Sequence, residues 1–229
     1  MQISVIIPAI NESDGIERAV GRAWEAGADE VLVVDGGSSD ATVELARKRG
    51  AQVLSSERGR ATQQNLGAKH ASGQILLFLH ADNWLEPLAC SQIRDVLSEP
   101  AVLGGGFCQK IDAPQWPYRW IERGNAWRVR CRGLAYGDQA IFMRAKVFDE
   151  LGGFPEVKLM EDLLLMRQFR RLAQPALLPG PVHVHPRRWQ RRGVIRQTLC
   201  NWSLVCAERL GVSPDRLANF YPSHDQPIV

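Results

Sequence analysis

An α/β fold with a mostly parallel sheet is predicted, on three observations. Short apolar runs at residues 3–7, 31–34 and 75–79 lack polar alternation, the pattern of strands covered on both faces. Segments with helical apolar spacing separate them, at intervals that suit crossover connections. Asp35 follows one run directly and Asp82 lies just beyond another. The carboxyl ends of such strands border the crevice where open α/β sheets bind ligands.

The elements follow in order. After the first strand, Ile16, Ala19, Val20, Ala23 and Trp24 recur at i, i+3, i+4, i+7 and i+8, which is one helical stripe. The second strand, 31–34, precedes a helix around Val43, Leu45 and Ala46. Residues 52–54 form a third strand, and 62–71 a helix ended by Gly73. The fourth strand, 75–79, leads to a helix at 88–97 that stops before Pro100. Beyond Pro100 the rhythm changes. Residues 102–111 are extended, and Gly104-Gly105-Gly106 marks a place where another backbone comes close. A Trp- and Arg-rich helix is expected at 115–131, a strand at 140–143, and a short helix at 147–151 closed by Gly152-Gly153. Residues 161–172 and 194–210 read as amphipathic helices, the first with Leu164, Leu165, Phe169 and Leu172 apolar.

A chain of 229 residues suits one core, and no repeat or linker divides it. Residues 1–229 are therefore read as one domain. About 1–100 form an α/β half and about 101–190 a mixed second half, with 191–229 a C-terminal helix and tail. A formal charge of +3 gives no field suited to nucleic acid. Arginine outnumbers lysine, and Arg187, Arg188, Arg191, Arg192 and Arg196 crowd one late segment, either a solvated basic face or a phosphate- or carboxylate-binding one. Five cysteines without a C-x-x-C pair imply reduced thiols and a cytoplasmic setting. The first strand is too short and too weakly flanked for a signal peptide, and no window reaches the length that spans a bilayer.

The two acids, carried toward one crevice, suit a nucleotide with a metal. At this point the chain resembles a family 2 glycosyltransferase of GT-A fold. Ser4-Val5-Ile6-Ile7-Pro8-Ala9-Ile10-Asn11-Glu12 is similar to that family's first strand and loop, and Val34-Asp35-Gly36-Gly37-Ser38-Ser39-Asp40-Ala41-Thr42 to its second motif. Gly59-Arg60-Ala61 with Gln64-Asn65-Leu66-Gly67-Ala68 resembles the next segment. Phe78-Leu79-His80-Ala81-Asp82 occupies the place of its D-x-D. Tyr136-Gly137-Asp138-Gln139, Gly153-Phe154-Pro155, Met160-Glu161-Asp162 and Arg187-Arg188-Trp189 follow in the family's order. The GRA-x-Q-x-N-x-G-A and L-H-A-D segments look most like a bacterial subgroup associated with arsenosugar biosynthesis. His80 departs from the family, which most often has aspartate there, and His183-Val184-His185-Pro186 replaces small polar residues.

The resemblance implies a metal-dependent, inverting transfer from a nucleotide diphosphate sugar, most readily a UDP-sugar, to an acceptor hydroxyl. Asp82 is the expected ligand of Mn²⁺ or Mg²⁺, with His80 on the same side of an extended chain as a second ligand, a diphosphate partner or a structural histidine. Asp35, beside Gly36, is expected to accept from the nucleobase, its alternative being a turn acid. Pro8, Ala9 and Glu12 line the crevice, and Arg60 meets the phosphates or a surface acid. Asn65, Asp138, Gln139, Glu161, Arg188 and Trp189 complete the substrate contacts. Asp162 is the expected catalytic base, although acids are common in first helical turns in any case. His183 and His185 share one side of an extended segment, as structural groups or as a further metal ligand.

The late helix can lie on an anionic membrane surface, close the core or form a homodimer seam. The Trp116–Trp127 stretch reads as an acceptor wall or an interface. Two rivals remain: a degenerate nucleotide-sugar-binding module without transfer, and a sugar nucleotidyltransferase. The second wants a basic Gly-rich loop after the first strand, which residues 8–12 are not, and an NAD-binding G-x-G-x-x-G at a strand–helix junction is absent too.

Overall fold

In the computed structural model, which describes residues 1–221 with the Arg188 side chain left aside, the apolar runs form β1 (Ile3–Ala9), β2 (Glu30–Asp35), β3 (Gln52–Ser55) and β4 (Ile75–Phe78). These stand in the order β3-β2-β1-β4, all parallel. The crossovers carry α1 (Ile16–Glu25), α2 (Thr42–Lys48) and α3 (Arg60–His70). Alternation along each strand divides its side chains between two cores. Val5, Ile7, Val33 and Leu77 pack with Ile16, Val20 and Ala23 of α1, whereas Ile6, Leu32, Val34 and Phe78 meet Ala61 of α3 on the other face. Both faces need apolar cover, so the strands could not alternate with polar residues. Trp24 lies at the edge of its stripe, partly exposed, and its indole N–H donates to the Arg49 carbonyl at 3.0 Å.

The second half extends the sheet with β5 (Asn83–Leu85), α4 (Ala89–Val96), β6 (Gly104–Ile111), α5 (Trp116–Arg132), β7 (Phe142–Arg144), α6 (Ala145–Glu150), α7 (Glu161–Phe169) and β8 (Ala176–Val184). Three helices follow: α8 (Arg187–Arg192), α9 (Val194–Arg209) and α10 (Pro214–Ala218). The eight strands run β3-β2-β1-β4-β7-β6-β8-β5. β7 is antiparallel to β4 and β6, β8 is parallel to β6, and β5 is antiparallel to β8. The Gly104–Gly106 run answers a close approach. A Cβ on Gly104 would stand 2.5 Å from the Phe142 carbonyl oxygen, and one on Gly105 2.0 Å from that of Ala176.

Two sequence readings are corrected here. α7 ends at Phe169, so Leu172 lies beyond it and is exposed. α9 is not a helix with one apolar stripe: Leu204 is buried, while Ile195, Leu199 and Trp202 are exposed on another face.

Helix α3 fixes the geometry at the strand ends. Gly67 has no side chain to hold the helix off the sheet, and a Cβ there would meet Ile6 Cγ2 at 2.5 Å and Val34 Cγ2 at 3.0 Å. One turn earlier, the buried Gln63 amide donates to the carbonyls of Ala9 at 2.9 Å and Val34 at 2.7 Å. Gly67→Ala should therefore cost about 2 kcal/mol through overpacking. Gly21→Ala on α1, where nothing lies within 4 Å of the new atom, should stabilise by about 0.5 kcal/mol. Urea midpoints of the two variants check the contrast.

Candidate active site

Two connected clefts open where β1 and β4 end. The larger, about 910 Å³, is bordered by Pro8, Ala9 and Glu12 after β1 and by Arg58 and Arg60 at the start of α3. The smaller, about 210 Å³, is bordered by Asp138, Asp162, His185 and Trp189. His80, Asp82, Arg60 and Arg187 line both and so mark their junction. β4 carries His80 and Asp82 there because it runs parallel to β1 and in register with it.

The junction is held by ion pairs that cross the chain. One nitrogen of Arg187, Nη2, lies 2.6 Å from Glu12 Oε1 and 3.2 Å from Asp82 Oδ2. Burial opposes charge on Arg187, but the hydrogen bond to Glu12 and the Asp82 charge outweigh it and hold the guanidinium protonated. Arg60 Nη1 donates to Glu161 Oε1 at 3.0 Å. Glu161 is buried, which pushes its carboxyl up while Arg60 draws it back. In the same balance Glu161 raises Arg60.

Asp162 is fixed by backbone. Met160, just before α7, adopts φ +67°, a conformation sparsely used by residues other than glycine, and the helical turn that follows points Glu161 and Asp162 in different directions. Asp162 Oδ2 accepts the Gly137 N–H at 2.6 Å and Oδ1 the Leu163 N–H at 2.7 Å. His80 closes on the same corner, since a Cβ on Gly137 would lie 2.7 Å from His80 Nε2 and 3.3 Å from Asp162 Oδ2. Beside it Arg128 stacks 3.5 Å over the Tyr136 ring, and burial raises the phenol. The arrangement offers a positioned carboxylate, a second carboxylate with a cation on it, and cationic walls, which suits displacement of an anionic leaving group.

Residues 4–198 match the family described as glycosyl transferase family 2. The chain belongs to that family. Glycosyltransferase AglE of Haloferax volcanii is 34% identical over 100 residues, covering 37% of this chain and 33% of that protein. This family 2 chain thus spans about a third of that relative's length. Among solved structures, S. aureus TarS 1-349 in complex with UDP-GlcNAc superimposes with a TM-score of 0.65 at 19% identity, covering 81% of this chain and 58% of that one. Glucosyl-3-phosphoglycerate synthase from Mycobacterium tuberculosis, in complex with Mg²⁺ and UDP, gives 0.58 at 21%, covering 80% and 69%. These likenesses establish the GT-A fold.

The structure distributes the family's motif residues unevenly. Pro8, Ala9, Glu12, Arg60, His80, Asp82, Asp138, Asp162 and Trp189 border one or both clefts. Others are engaged elsewhere. Asp35 accepts the N–H groups of Gly37 and Ser38, each at 3.1 Å, and the Ser38 hydroxyl at 2.5 Å, so it organises the loop after β2. Gly36 packs under Gln63. Asn65 does not border either cleft: its amide donates to the Phe154 carbonyl at 2.8 Å and accepts the Phe154 N–H at 2.9 Å. Gln139 is wholly buried, with its amide bonded to Arg128, Tyr136 and Phe107. Glu161 faces Arg60 and not a cleft. The Arg188 side chain lies outside the described residues. His183 stacks on Trp84, 5.1 Å between centroids, and pairs with Glu86, whereas His185 borders the smaller cleft. Sequence reading placed Arg187 in the late arginine cluster and in the Arg187-Arg188-Trp189 motif without giving it a role of its own in the site, since Glu12 is 175 positions away.

Among the described residues no three His, Cys, Asp or Glu side chains converge on a metal position. Glu12 and Asp82 nonetheless meet around one cation, which fits an ion held by one or two carboxylates and completed by phosphates. Removing Arg60 should leave the Glu161 carboxylate buried without its partner. Arg60→Ala should cost about 2 kcal/mol, and adding Glu161→Gln should recover part of it. Thermal or urea unfolding of the single and double variants measures this coupling.

Proposed function

We propose that the chain is an inverting glycosyltransferase that moves a sugar from a nucleotide diphosphate sugar, UDP-linked, to an acceptor hydroxyl. The observation that carries the proposal is the junction of the two clefts, where His80, Asp82, Arg60 and Arg187 stand between the Pro8–Glu12 side and Asp162. In this reading the nucleotide fills the larger cleft and the acceptor the smaller. Pro8, Ala9 and Glu12 bracket base and ribose. Asp35 orders the loop after β2, which is tied to the Pro8–Glu12 side by the Asn11 N–H on Ser38 Oγ, and accepts from the base edge.

The acceptor oxygen forms a bond to the anomeric carbon as the bond from that carbon to the diphosphate oxygen breaks. Asp162 takes the hydroxyl proton, its carboxylate held in place by the Gly137 and Leu163 N–H groups. The diphosphate leaves with the electron pair. Arg60 and Arg187 supply positive charge on the leaving side. Asp82, with His80 beside it, would hold Mg²⁺ or Mn²⁺, which when bound neutralises the departing diphosphate. Exposed free thiols at Cys131 and Cys206 support a reducing, cytoplasmic setting. The GRA-x-Q-x-N-x-G-A and L-H-A-D segments support kinship with the arsenosugar subgroup.

Calorimetry of UDP and GDP with and without Mn²⁺ tests the donor. Tight, Mn²⁺-dependent UDP binding is expected, weakened about tenfold in Asp82→Ala. Binding of neither nucleotide would falsify the reading. Asp162→Asn should lower transfer about a thousandfold and leave UDP binding in place.

Arg187 supports a second reading, in which the guanidinium itself neutralises the diphosphate and no ion is used. The two readings part on Mn²⁺ binding without nucleotide. If the ion takes the place Arg187 holds on Asp82, Arg187→Gln should tighten Mn²⁺ binding. Unchanged Mn²⁺ binding, together with UDP affinity insensitive to chelator, would favour the metal-free route.

A further inference from the structure

Helix α9 is a wall with two apolar sides. Asn201, Leu204 and Val205 line the smaller cleft. On the opposite side Ile195, Leu199 and Trp202, spaced four and three apart, are each more than half exposed. Helix α5 repeats the pattern with Trp116, Trp120 and Trp127, spaced four and seven apart and likewise more than half exposed. The first residue of α9 and the adjoining α8 pack on α5. Tyr118 of α5 meets Trp189 of α8 edge-on at 6.0 Å, and Ile121 and Val194 pack on the same small cluster. Exposed apolar residues grouped in this way mark a surface that meets another phase or partner.

Charge identifies the occupant. α5 exposes Arg123, Arg130 and Arg132, and α8 and α9 expose Arg191, Arg196 and Arg209. Since the whole chain is only +3, the rest of it is net acidic. Arg123 and Arg132 stand over the Trp120 and Trp127 rings, at 5.8 and 5.4 Å, so cations and indoles share one surface. A second copy of the chain would bring like charge against like. An uncharged apolar partner would leave the guanidinium groups without counter-charge. A bilayer with anionic headgroups satisfies both parts, indoles at the headgroup level and arginines at the phosphates.

We propose that α5 and α9 lie in the headgroup layer of an anionic membrane, and that the acceptor hydroxyl belongs to a membrane lipid entering the smaller cleft beside α9. The second half rests on the transferase reading; the docking does not. Among the described residues no helix is long and apolar enough to cross a membrane.

The test is flotation of the full chain with vesicles of equal parts phosphatidylglycerol and phosphatidylcholine, against phosphatidylcholine alone. The chain should float with the anionic vesicles and be released by salt. Trp120→Ala, Trp127→Ala and Trp202→Ala should each lower partitioning about tenfold, and Arg123→Ser and Arg196→Ser about fivefold. Leu88→Ala, exposed at the start of α4, should change nothing. UDP binding should be the same in all of these variants, because none of the residues borders a cleft. No flotation, or flotation indifferent to the Trp and Arg changes, overturns the docking. A dimer seen by light scattering and lost in the same variants, without flotation, assigns the face to a second copy and overturns it equally. A chain that floats but binds no nucleotide keeps the docking and sinks the lipid acceptor.

Discussion

Helix α3 touches the sheet at Gly67 with no Cβ between them, and from that contact three other positions of the helix reach out to different parts of the molecule. Gln63 ties down the carbonyls where β1 and β2 end. Asn65 clamps the Phe154 backbone. Arg60 pairs with Glu161 at the head of α7. The strand ends and the helix bearing Asp162 are therefore registered against one rigid rod. A shift of that rod would move both walls of the junction together, since its hydrogen bonds end in buried groups whose loss costs about 1–3 kcal/mol each.

The electrostatics of the junction follow from this registration. Strands β1 and β4 deliver Glu12 and Asp82 from one direction, and the segment after β8 delivers Arg187 from the other. Two carboxylates brought so close repel unless a cation lies between them. The chain supplies one of its own. Arginine suits the place because its guanidinium stays charged when buried, and here a single nitrogen stands between the two acids.

Much of the first half was legible because its physics is local. An apolar run closed by turn residues is a covered strand, and β1, β2 and β4 show little else. β5 and β8 were not legible. Three residues make too short a run to see, and Pro179, Gly180 and Pro181 interrupt β8 with residues that ordinarily exclude a strand. The site divides in the same way. His80, Asp82 and Asp162 meet where their motifs suggest, since each sits at the end or start of a regular element. Asn65 and Gln139 carry the amides of ligand-binding residues, yet both turn inward to backbone and side-chain partners. No pattern of residue types records which way an amide faces. Arg187 was legible only as one of a cluster of arginines, because its partners Glu12 and Asp82 lie far from it in the sequence.

The pairing of β5 with β8 joins Asn83 to Val184 and Leu85 to Val182. On a ribosome, Trp84 and Leu85 emerge about a hundred residues before the strand that will cover them, a delay of roughly ten seconds at common elongation rates. Until β7 (Phe142–Arg144) emerges, for the first part of that interval, β4 has no neighbour on the side β7 will take. The nascent chain thus holds a sheet assembled from β1 to β4 with one open edge and an uncovered indole beside it, a state prone to pairing with other chains. Translation speed and chaperone access between residues 85 and 182 become part of what determines the yield of native protein.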